Sequence, residues 1–331
     1  MRITATPVGS LPLANHQDLR SLFHPMVLAG GVPHFAVRSA GELRVIAVDF
    51  DSERLLEAAV FPAPWERWRW APDAVAPDLS FAVFSGETAI RAVGRDGRTL
   101  WEHEHDCWGC GDLESGSVIV SADGARVWAS APSPHAETDP MLPYEGDDWL
   151  VFDAASGDVV GITRLDCAAA GSFHLLHPDG VHVGLSVGEG QDGSPSYWGR
   201  LDGDLIEYRL IGGEDRDRVL TAVSPSGRTY LTIAHEQYDL RVHSFGDDAV
   251  VGSYEVDDEG DEGLSYEAGF VTEDRVLAGE DEGDRHWLIE APSGRLLGEV
   301  RYPGPVTGTA RPLGDGTWLT ADGDAVTRWR L

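Results

Sequence analysis

The chain has 331 residues, of which 42% are hydrophobic, and this length is sufficient for a large apolar core. Its formal net charge is −31, because 56 acidic residues outnumber 25 basic ones. A surface of this charge repels a phosphate backbone, so nucleic acid is excluded as a partner. The 39 glycines and 19 prolines favour many turns over long helices.

The N-terminal stretch MRITATPVGSLPL lacks the long apolar region of a secretory signal. No stretch of the sequence approaches the roughly 18 consecutive apolar residues that a membrane helix needs. We therefore expect a cytoplasmic protein that does not bind membranes. In that reducing compartment the three cysteines are expected to be thiols, and their odd number leaves at least one unpaired.

A polar turn followed by an apolar strand recurs along the chain. The first strand residues of these repeats are Leu55, Leu100, Val159, Leu205, Val250 and Leu296. Successive repeats are 45 or 46 residues apart, except for a spacing of 59 where the third repeat contains an insertion at residues 133–148. A repeat of about 45 residues with four short alternating strands is typical of a propeller blade.

The fifth repeat shows all four predicted strands, in the segments VLTAVSPSG, RTYLTIAHE, DLRVHSFGDD and AVVGSYEVD. The chain ends at AVTRWRL, a third strand with no fourth behind it, and RITATPV at the N-terminus supplies the missing strand. We predict an all-β fold, a seven-bladed β-propeller forming one domain over residues 1–331, with its last blade closed by the N-terminal strand. Two separate domains or an open solenoid would leave the last repeat unfinished.

The segments WLVFDAASGDVVG, HWLIEAPSGRLLGEV and AVTRWRL resemble the strands and turns of WD40-like and related quinoprotein-like β-propellers. The resemblance covers essentially the whole chain, although no Gly-His dipeptide opens a blade and no Trp-Asp dipeptide closes one. It implies seven blades and, as the commonest role, a platform for interactions. The absence of lysine indicates a GC-rich coding sequence and hence a bacterial source.

The connections of such blades fall on two faces. Connections between strands two and three lie on the same face as the connections from one blade to the next. We call this the loop face. In propellers generally, ligands bind at this face. The short DG and SG turns fall on the other face, which we call the turn face. The unusual side chains of this sequence collect on the loop face, so we expect a protein or small-molecule partner to bind there.

The stretch HEHDCWGC at residues 103–110 concentrates imidazoles and thiols. His103, His105 and Cys107 alternate onto one side of a predicted outermost strand, about 7 Å apart. A His-x-His pair and a Cys-x-x-Cys pair each allow two ligands to share one ion, and Cys167 has the equivalent place in the next blade. The candidate ligands for zinc or copper are His103, His105, Cys107, Cys110 and Cys167.

A second set of loop-face residues is suited to binding small molecules. Tryptophans beside arginines in PWERWRWAPD could stack a sugar, a nucleobase or a cationic headgroup, or could instead cover the end of the core. A histidine beside carboxylates is capable of general acid or base chemistry. The candidate ligand-binding residues are Trp65, Trp68, Trp70, His135, Gln191, Asp192, His235 and Glu236.

Two acidic runs, at residues 257–262 and 280–284, could hold calcium, attract a cationic ligand or basic protein, or be solvated surface. Two functions follow from the sequence. The first is a noncatalytic interaction or ligand-binding scaffold, which the resemblance favours because the sequence has no established active-site motif. The alternative is a metal-binding protein or metal-dependent enzyme that uses residues 103–110. Cys107 and Cys110 could instead form a metal-free thiol pair or a redox disulfide, or could simply pack in the core.

Overall fold

The computed structural model describes residues 2–13, 16, 26–29, 32–39, 41–65, 73–108, 116–133, 146–212, 216–256, 263–281, 283–322 and 324–331. These residues form strands, turns and one short 3-10 turn at Gly190–Asp192. None of them belongs to a helix with the length and apolarity needed to span a bilayer. The chain divides into two compact units, residues 25–47 with 56–216, and residues 1–24 with 48–55 and 217–331.

Many of the strands within a sheet are buried on both sides, as are Arg126–Pro132 and Asp147–Asp153, and tight turns connect many neighbouring strands. In chain order they are β1 (Arg2–Thr4), β2 (Thr6–Pro12), β3 (Met26–Ala29), β4 (Val32–Ser39), β5 (Glu42–Asp49), β6 (Arg54–Pro62), β7 (Ala74–Val75), β8 (Phe81–Ser85), β9 (Ala89–Gly94), β10 (Thr99–Glu104), β11 (Val118–Val120), β12 (Arg126–Pro132), β13 (Asp147–Asp153), β14 (Val159–Arg164), β15 (Gly171–Leu176), β16 (His182–Gly188), β17 (Ser196–Asp202), β18 (Leu205–Leu210), β19 (Arg218–Val223), β20 (Thr229–Ala234), β21 (Asp239–Ser244), β22 (Val250–Glu255), β23 (Gly269–Thr272), β24 (Arg275–Gly279), β25 (His286–Glu290), β26 (Arg295–Arg301), β27 (Ala310–Pro312), β28 (Thr317–Asp322) and β29 (Ala325–Arg330).

The first unit contains four four-stranded sheets, each a meander of consecutive strands: β3 to β6, β7 to β10, β11 to β14 and β15 to β18. We number them blades one to four. In blade one, residues 48–55 at the tip of the β5–β6 hairpin belong to the second unit. Most connections within these blades are short because antiparallel neighbours need only a hairpin turn. The exception is the connection from β12 to β13, which holds most of the insertion in the third repeat.

The second unit contains blades five to seven. Blade five is β19 to β22, blade six is β23 to β26, and blade seven is β27 to β29 completed by β2, which pairs antiparallel with β29 from Thr6↔Arg330 to Pro12↔Ala325. The prediction that the N-terminal strand closes the last blade is therefore confirmed. One detail differs, because Arg2–Thr4 leaves that blade and pairs parallel with β26 as a fifth strand of blade six.

The protein is all-β and has the seven blades of a β-propeller, as the repeat spacing predicts. The predicted repeat markers lie at the starts of outermost strands: Leu100, Val159, Leu205 and Val250 lie at or next to the first residues of β10, β14, β18 and β22. The prediction of one domain over residues 1–331 stays a prediction.

Apolar clusters fill the spaces between neighbouring blades of each unit. The cluster between blades three and four contains Trp128, Trp149 and Leu185, all at most 3% exposed. Gly199 of blade four permits this packing, because a Cβ at that position would lie 2.5 Å from the Trp149 ring. Large buried aromatics with small residues opposite them therefore hold adjacent sheets together.

Candidate functional site

The turn between the first two strands of blade four carries an unusual set of polar side chains. Its sequence is HPDGVH, from His177 to His182. Gly180 takes the positive φ of +70° that the reversal needs. The Asp179 carboxylate accepts hydrogen bonds from the amides of Val181 at 2.8 Å and His182 at 2.9 Å. The carboxylate is thus fixed by the backbone of its own turn.

Two imidazoles bracket this carboxylate. The Nδ1 atom of His177 lies 3.0 Å from one oxygen of Asp179, and the Nδ1 atom of His182 lies 2.7 Å from the other. Partial burial opposes ionisation of Asp179, but hydrogen bonds from the amides and from both imidazoles hold its pKa well below the ordinary range. Asp179 is therefore a carboxylate at any physiological pH.

The two histidines differ in exposure. His177 is 5% exposed and its ring contacts the edge of Trp198, with 5.6 Å between ring centroids. His182 begins β16 and is about a quarter exposed. Among the described residues, His177, Asp179 and His182 are the one group of three or more His, Cys, Asp or Glu side chains whose ligand atoms all lie within 4.8 Å of one another.

A cavity of about 210 Å³ adjoins this turn. It lies between the turns of blades three and four, with Asp123 and Arg126 on the blade-three side and His177 and His182 on the blade-four side. Trp128, Leu176, Val183 and Leu201 contribute apolar walls. A cavity of this size holds several waters or one small ligand.

The predicted ligands at residues 103–108 are positioned on β10 and the loop after it. His103 contacts the ring of Phe152 edge-on at 5.0 Å, and burial lowers its pKa. Burial likewise lowers the pKa of His105, whose Nδ1 atom bonds to the carbonyl of Asp106 and whose Nε2 atom is buried without a hydrogen-bond partner among the described residues. The Cys107 thiol donates to Glu87 at 3.4 Å.

Cys167 lies three residues after β14, as Cys107 lies three residues after β10. Cys167 is 5% exposed and packs in the apolar cluster between blades three and four. Burial, with the charges of Asp147 and Glu189, strongly raises the pKa of its thiol. Cys110 lies outside the described residues, and zinc or copper binding at residues 103–110 stays a prediction.

Trp65 lies at the end of blade one, where the chain passes to blade two. Its ring packs on Gly86, where a Cβ would lie 2.6 Å away, and Arg91 stacks over it at 4.9 Å. Covering the core is thus one role of this side chain. Trp68, Trp70 and His135 lie outside the described residues.

Gln191 and Asp192 are exposed in the 3-10 turn between the second and third strands of blade four. His235 and Glu236 occupy the corresponding connection of blade five, where His235 Nδ1 lies 3.2 Å from Asp217. Ligand binding by these residues stays a prediction.

The described part of the second acidic run is held by internal contacts. Glu280 is 8% exposed and pairs with Arg285, while Asp284 accepts a hydrogen bond from the Gly308 amide at 3.0 Å. Asp281 is partly exposed. The first run, residues 257–262, and Glu282 lie outside the described residues.

The cluster in the blade-four turn was missed by the sequence analysis, which considered the short DG turns only as chain reversals on the turn face. The available signal was the pattern His-x-Asp-x-x-His across a DG turn. A turn brings such residues together because it folds the two flanking strand ends side by side.

No protein-family model and no curated protein matches this chain. Solved structures do resemble it. BamB from Moraxella catarrhalis is 14% identical with a TM-score of 0.51, over 99% of this chain and 100% of that one. The WD40 β-propeller domain of Doa1 is 11% identical with a TM-score of 0.56, over 98% and 96%.

A third similar structure is the complex of KlAtg21 with the coiled-coil of AgAtg16. It is 11% identical, with a TM-score of 0.59 over 92% of this chain and 90% of that one. Identities this low establish the fold alone. This chain has the fold of the WD40-like β-propellers, with seven blades.

Proposed function

We propose that this protein is a noncatalytic scaffold that binds a positively charged protein through the loop face of blades five and six. The observation that carries the proposal is a concentration of acidic groups around an exposed aromatic side chain at that face. We call this set the acidic loop surface; it consists of Asp217, His235, Glu236, Tyr238 and Asp281.

Backbone contacts bring the loops of this surface together. The Leu264 amide donates to the Gln237 carbonyl at 2.8 Å, and the Asp281 amide donates to the Gly263 carbonyl at 2.6 Å. The connection within blade five, the segment between the blades and the connection within blade six therefore form one continuous patch. A partner can contact all three.

The electrostatic effect of the patch appears at Tyr266, whose hydroxyl donates to the His235 carbonyl. Burial and the charges of Asp281 and Asp217 raise the pKa of Tyr266 to about 12. The charges of Asp281 and Asp217 thus both act on the Tyr266 hydroxyl. Together with a net charge of −31, they favour approach of a cationic partner and speed its association.

Tyr238 supplies an apolar contact within the patch, since it is 49% exposed. Exposed tyrosines surrounded by charged residues are frequent centres of protein interfaces, because the ring buries a large area at little entropic cost. The similar structure of KlAtg21 contains a coiled-coil partner, which supports a protein ligand for this fold.

The test is affinity capture from cells of the source organism with quantitative mass spectrometry, using three forms of the protein. These are the wild type, a Glu236→Ala, Tyr238→Ala, Asp281→Ala variant, and a control Asp247→Ala, Asp274→Ala variant changed at exposed turn-face carboxylates. We expect the wild type and the control to capture a basic protein at about one molecule per chain. The triple variant should capture at least about tenfold less of it.

Equal capture by all three forms, or no protein near one per chain, would contradict the proposal. The binding of the purified partner should also weaken when salt is raised from about 50 to about 300 mM, because exposed charges are screened over that range.

A further inference from the structure

We propose that His177, Asp179 and His182 bind one divalent transition-metal ion, with zinc the best match. Two imidazole nitrogens and a carboxylate oxygen are ligands that zinc prefers. Their ligand atoms already lie within 4.8 Å of one another. The inference concerns the turn face of blade four and is independent of partner binding at the acidic loop surface.

Corresponding turns show that the backbone conformation does not require imidazoles. In blade three the sequence is SADGAR, and the Ser121 amide donates to the Arg126 carbonyl at 2.9 Å. In blade five it is SPSGRT, and the Ser224 amide donates to the Thr229 carbonyl at 2.8 Å. The His177 amide makes the same closure with the His182 carbonyl at 3.0 Å.

Serine, arginine and threonine therefore suffice where blade four has its two histidines. The blade-three turn also keeps an aspartate at the position of Asp179, where Asp123 accepts from the Ala125 amide at 2.9 Å. The carboxylate thus has a structural role in the turn, and turns of the same shape form without imidazoles. The two imidazoles beside it add nitrogen ligands that a metal ion can use.

The ligand atoms of the three side chains are close enough for one cation to bind between them. Both contacts with the carboxylate are made by Nδ1, at 3.0 Å for His177 and 2.7 Å for His182, and the Asp179 amide also donates to His177 Nδ1 at 3.2 Å. One divalent ion satisfies both contacts at once. Zinc bonds to nitrogen and oxygen are about 2.0–2.2 Å long, so one ion can contact ligand atoms that lie about 3 Å apart.

The site is preorganised on one side and open on the other. His177 is fixed against Trp198, and Asp179 is fixed by two backbone amides. The adjoining cavity of about 210 Å³, which His177 and His182 line, has room for a water or small anion as a fourth ligand. Three protein ligands and an exchangeable fourth give an open coordination site.

The test uses purified full-length protein stripped with chelator, titrated with Zn²⁺ alone by calorimetry and with Co²⁺ by absorption spectroscopy. The main variant is His177→Ser, His182→Thr, which places in blade four the residues that blade five has at these positions. Asp179→Asn is a second variant that retains the oxygen needed by the turn. Asp247→Asn is the control, since it changes an exposed turn-face carboxylate of blade five.

We expect about one zinc per chain for the wild type and the control, and at least about 100-fold weaker binding for both ligand variants. We also expect Co²⁺ to give the absorption of a nitrogen- and oxygen-ligated ion. A Cys107→Ser, Cys110→Ser variant should retain this zinc, which separates the site from residues 103–110. No zinc binding by the wild type, or binding unchanged in folded ligand variants, would overturn the proposal.

Discussion

Arg218 and Asp239 form a buried ion pair within blade five. Arg218 Nη1 lies 2.6 Å from an Asp239 oxygen, and the two side chains are 1% and 3% exposed. Arg218 starts β19 and Asp239 starts β21, so the guanidinium reaches across β20, where its Nε atom donates to Thr232 at 2.8 Å. His243 Nε2 bonds to the same Thr232 oxygen. This network joins three strands of the blade through polar contacts.

Replacing Asp239 with alanine should therefore be strongly destabilising. The change leaves the Arg218 guanidinium buried without its carboxylate, and breaking a buried pair from one side costs about 3–5 kcal/mol. The free energy of unfolding from urea titration measures this loss. As a control, Glu207→Ala removes half of the exposed pair between Glu207 and Arg200 and should cost far less, because solvent screens such a pair. Equal losses of unfolding free energy in the two variants would contradict the assignment of Arg218 and Asp239 as a buried ion pair.

His174 should make stability fall on acidification. Its ring accepts from Trp149 Nε1 at 3.0 Å and bonds to Ser117 at 2.8 Å, and burial lowers its pKa to about 3. Below its ordinary pKa the unfolded chain binds a proton that the folded protein does not, so stability is lost as pH falls from about 6.5 towards 3.

His174→Gln should remove this dependence. Over about pH 7.5 to 5 the wild type should lose about 2 kcal/mol more than the variant, a difference that guanidinium titrations at each pH would measure. If the free energy of unfolding changed with pH in the same way for both proteins, His174 would not remain neutral in the folded protein.

Gly294 should tolerate substitution less well than Gly203. Both have positive φ, at +66° and +65°, so alanine costs about 1–2 kcal/mol at either position from backbone strain. At Gly294 the added Cβ would also lie 1.9 Å from the Ser253 carbonyl oxygen, whereas nothing lies within 4 Å at Gly203. Gly294→Ala should cost about 1–3 kcal/mol more than Gly203→Ala in thermal or urea unfolding.

The thiols should differ in reactivity. Cys107 is partly exposed, while Cys167 is 5% exposed and its thiol pKa is strongly raised by burial. Iodoacetamide should therefore label Cys107 in the native protein and Cys167 only after unfolding, because the thiolate is the reactive form. Peptide mass spectrometry measures the labelling of each site, and rapid native labelling of Cys167 would contradict its buried position.

Elemental analysis tests the prediction of zinc or copper at residues 103–110. If that site exists, the wild type should hold metal that a Cys107→Ser, Cys110→Ser variant lacks. Equal metal contents would contradict a metal site at residues 103–110 and would leave packing as the role of the Cys107 thiol. Zinc retained by both proteins is the result expected from the blade-four turn.

The blades could be predicted because their causes are local. Alternating apolar residues determine which side of a strand is buried, and glycine turns determine where the chain reverses. The incomplete last repeat predicted that the N-terminal segment RITATPV supplies the missing strand, and the end of that segment does lie in β2. The displacement of Arg2–Thr4 to blade six could not be predicted, because its parallel pairing with β26 depends on which sheet edge lies next to the chain where it enters the fold.

The sequence alone determined the all-β fold, the repeat of about 45 residues and the completion of blade seven, since these follow from periodicity and turn chemistry. Only the tertiary structure decided which polar side chains meet. Arg218 and Asp239 pair because sheet register places them across β20, and the cavity beside His177 exists because two blades pack next to each other. Such contacts depend on the spacing of sheets and the directions of side chains, which a period of two residues does not encode.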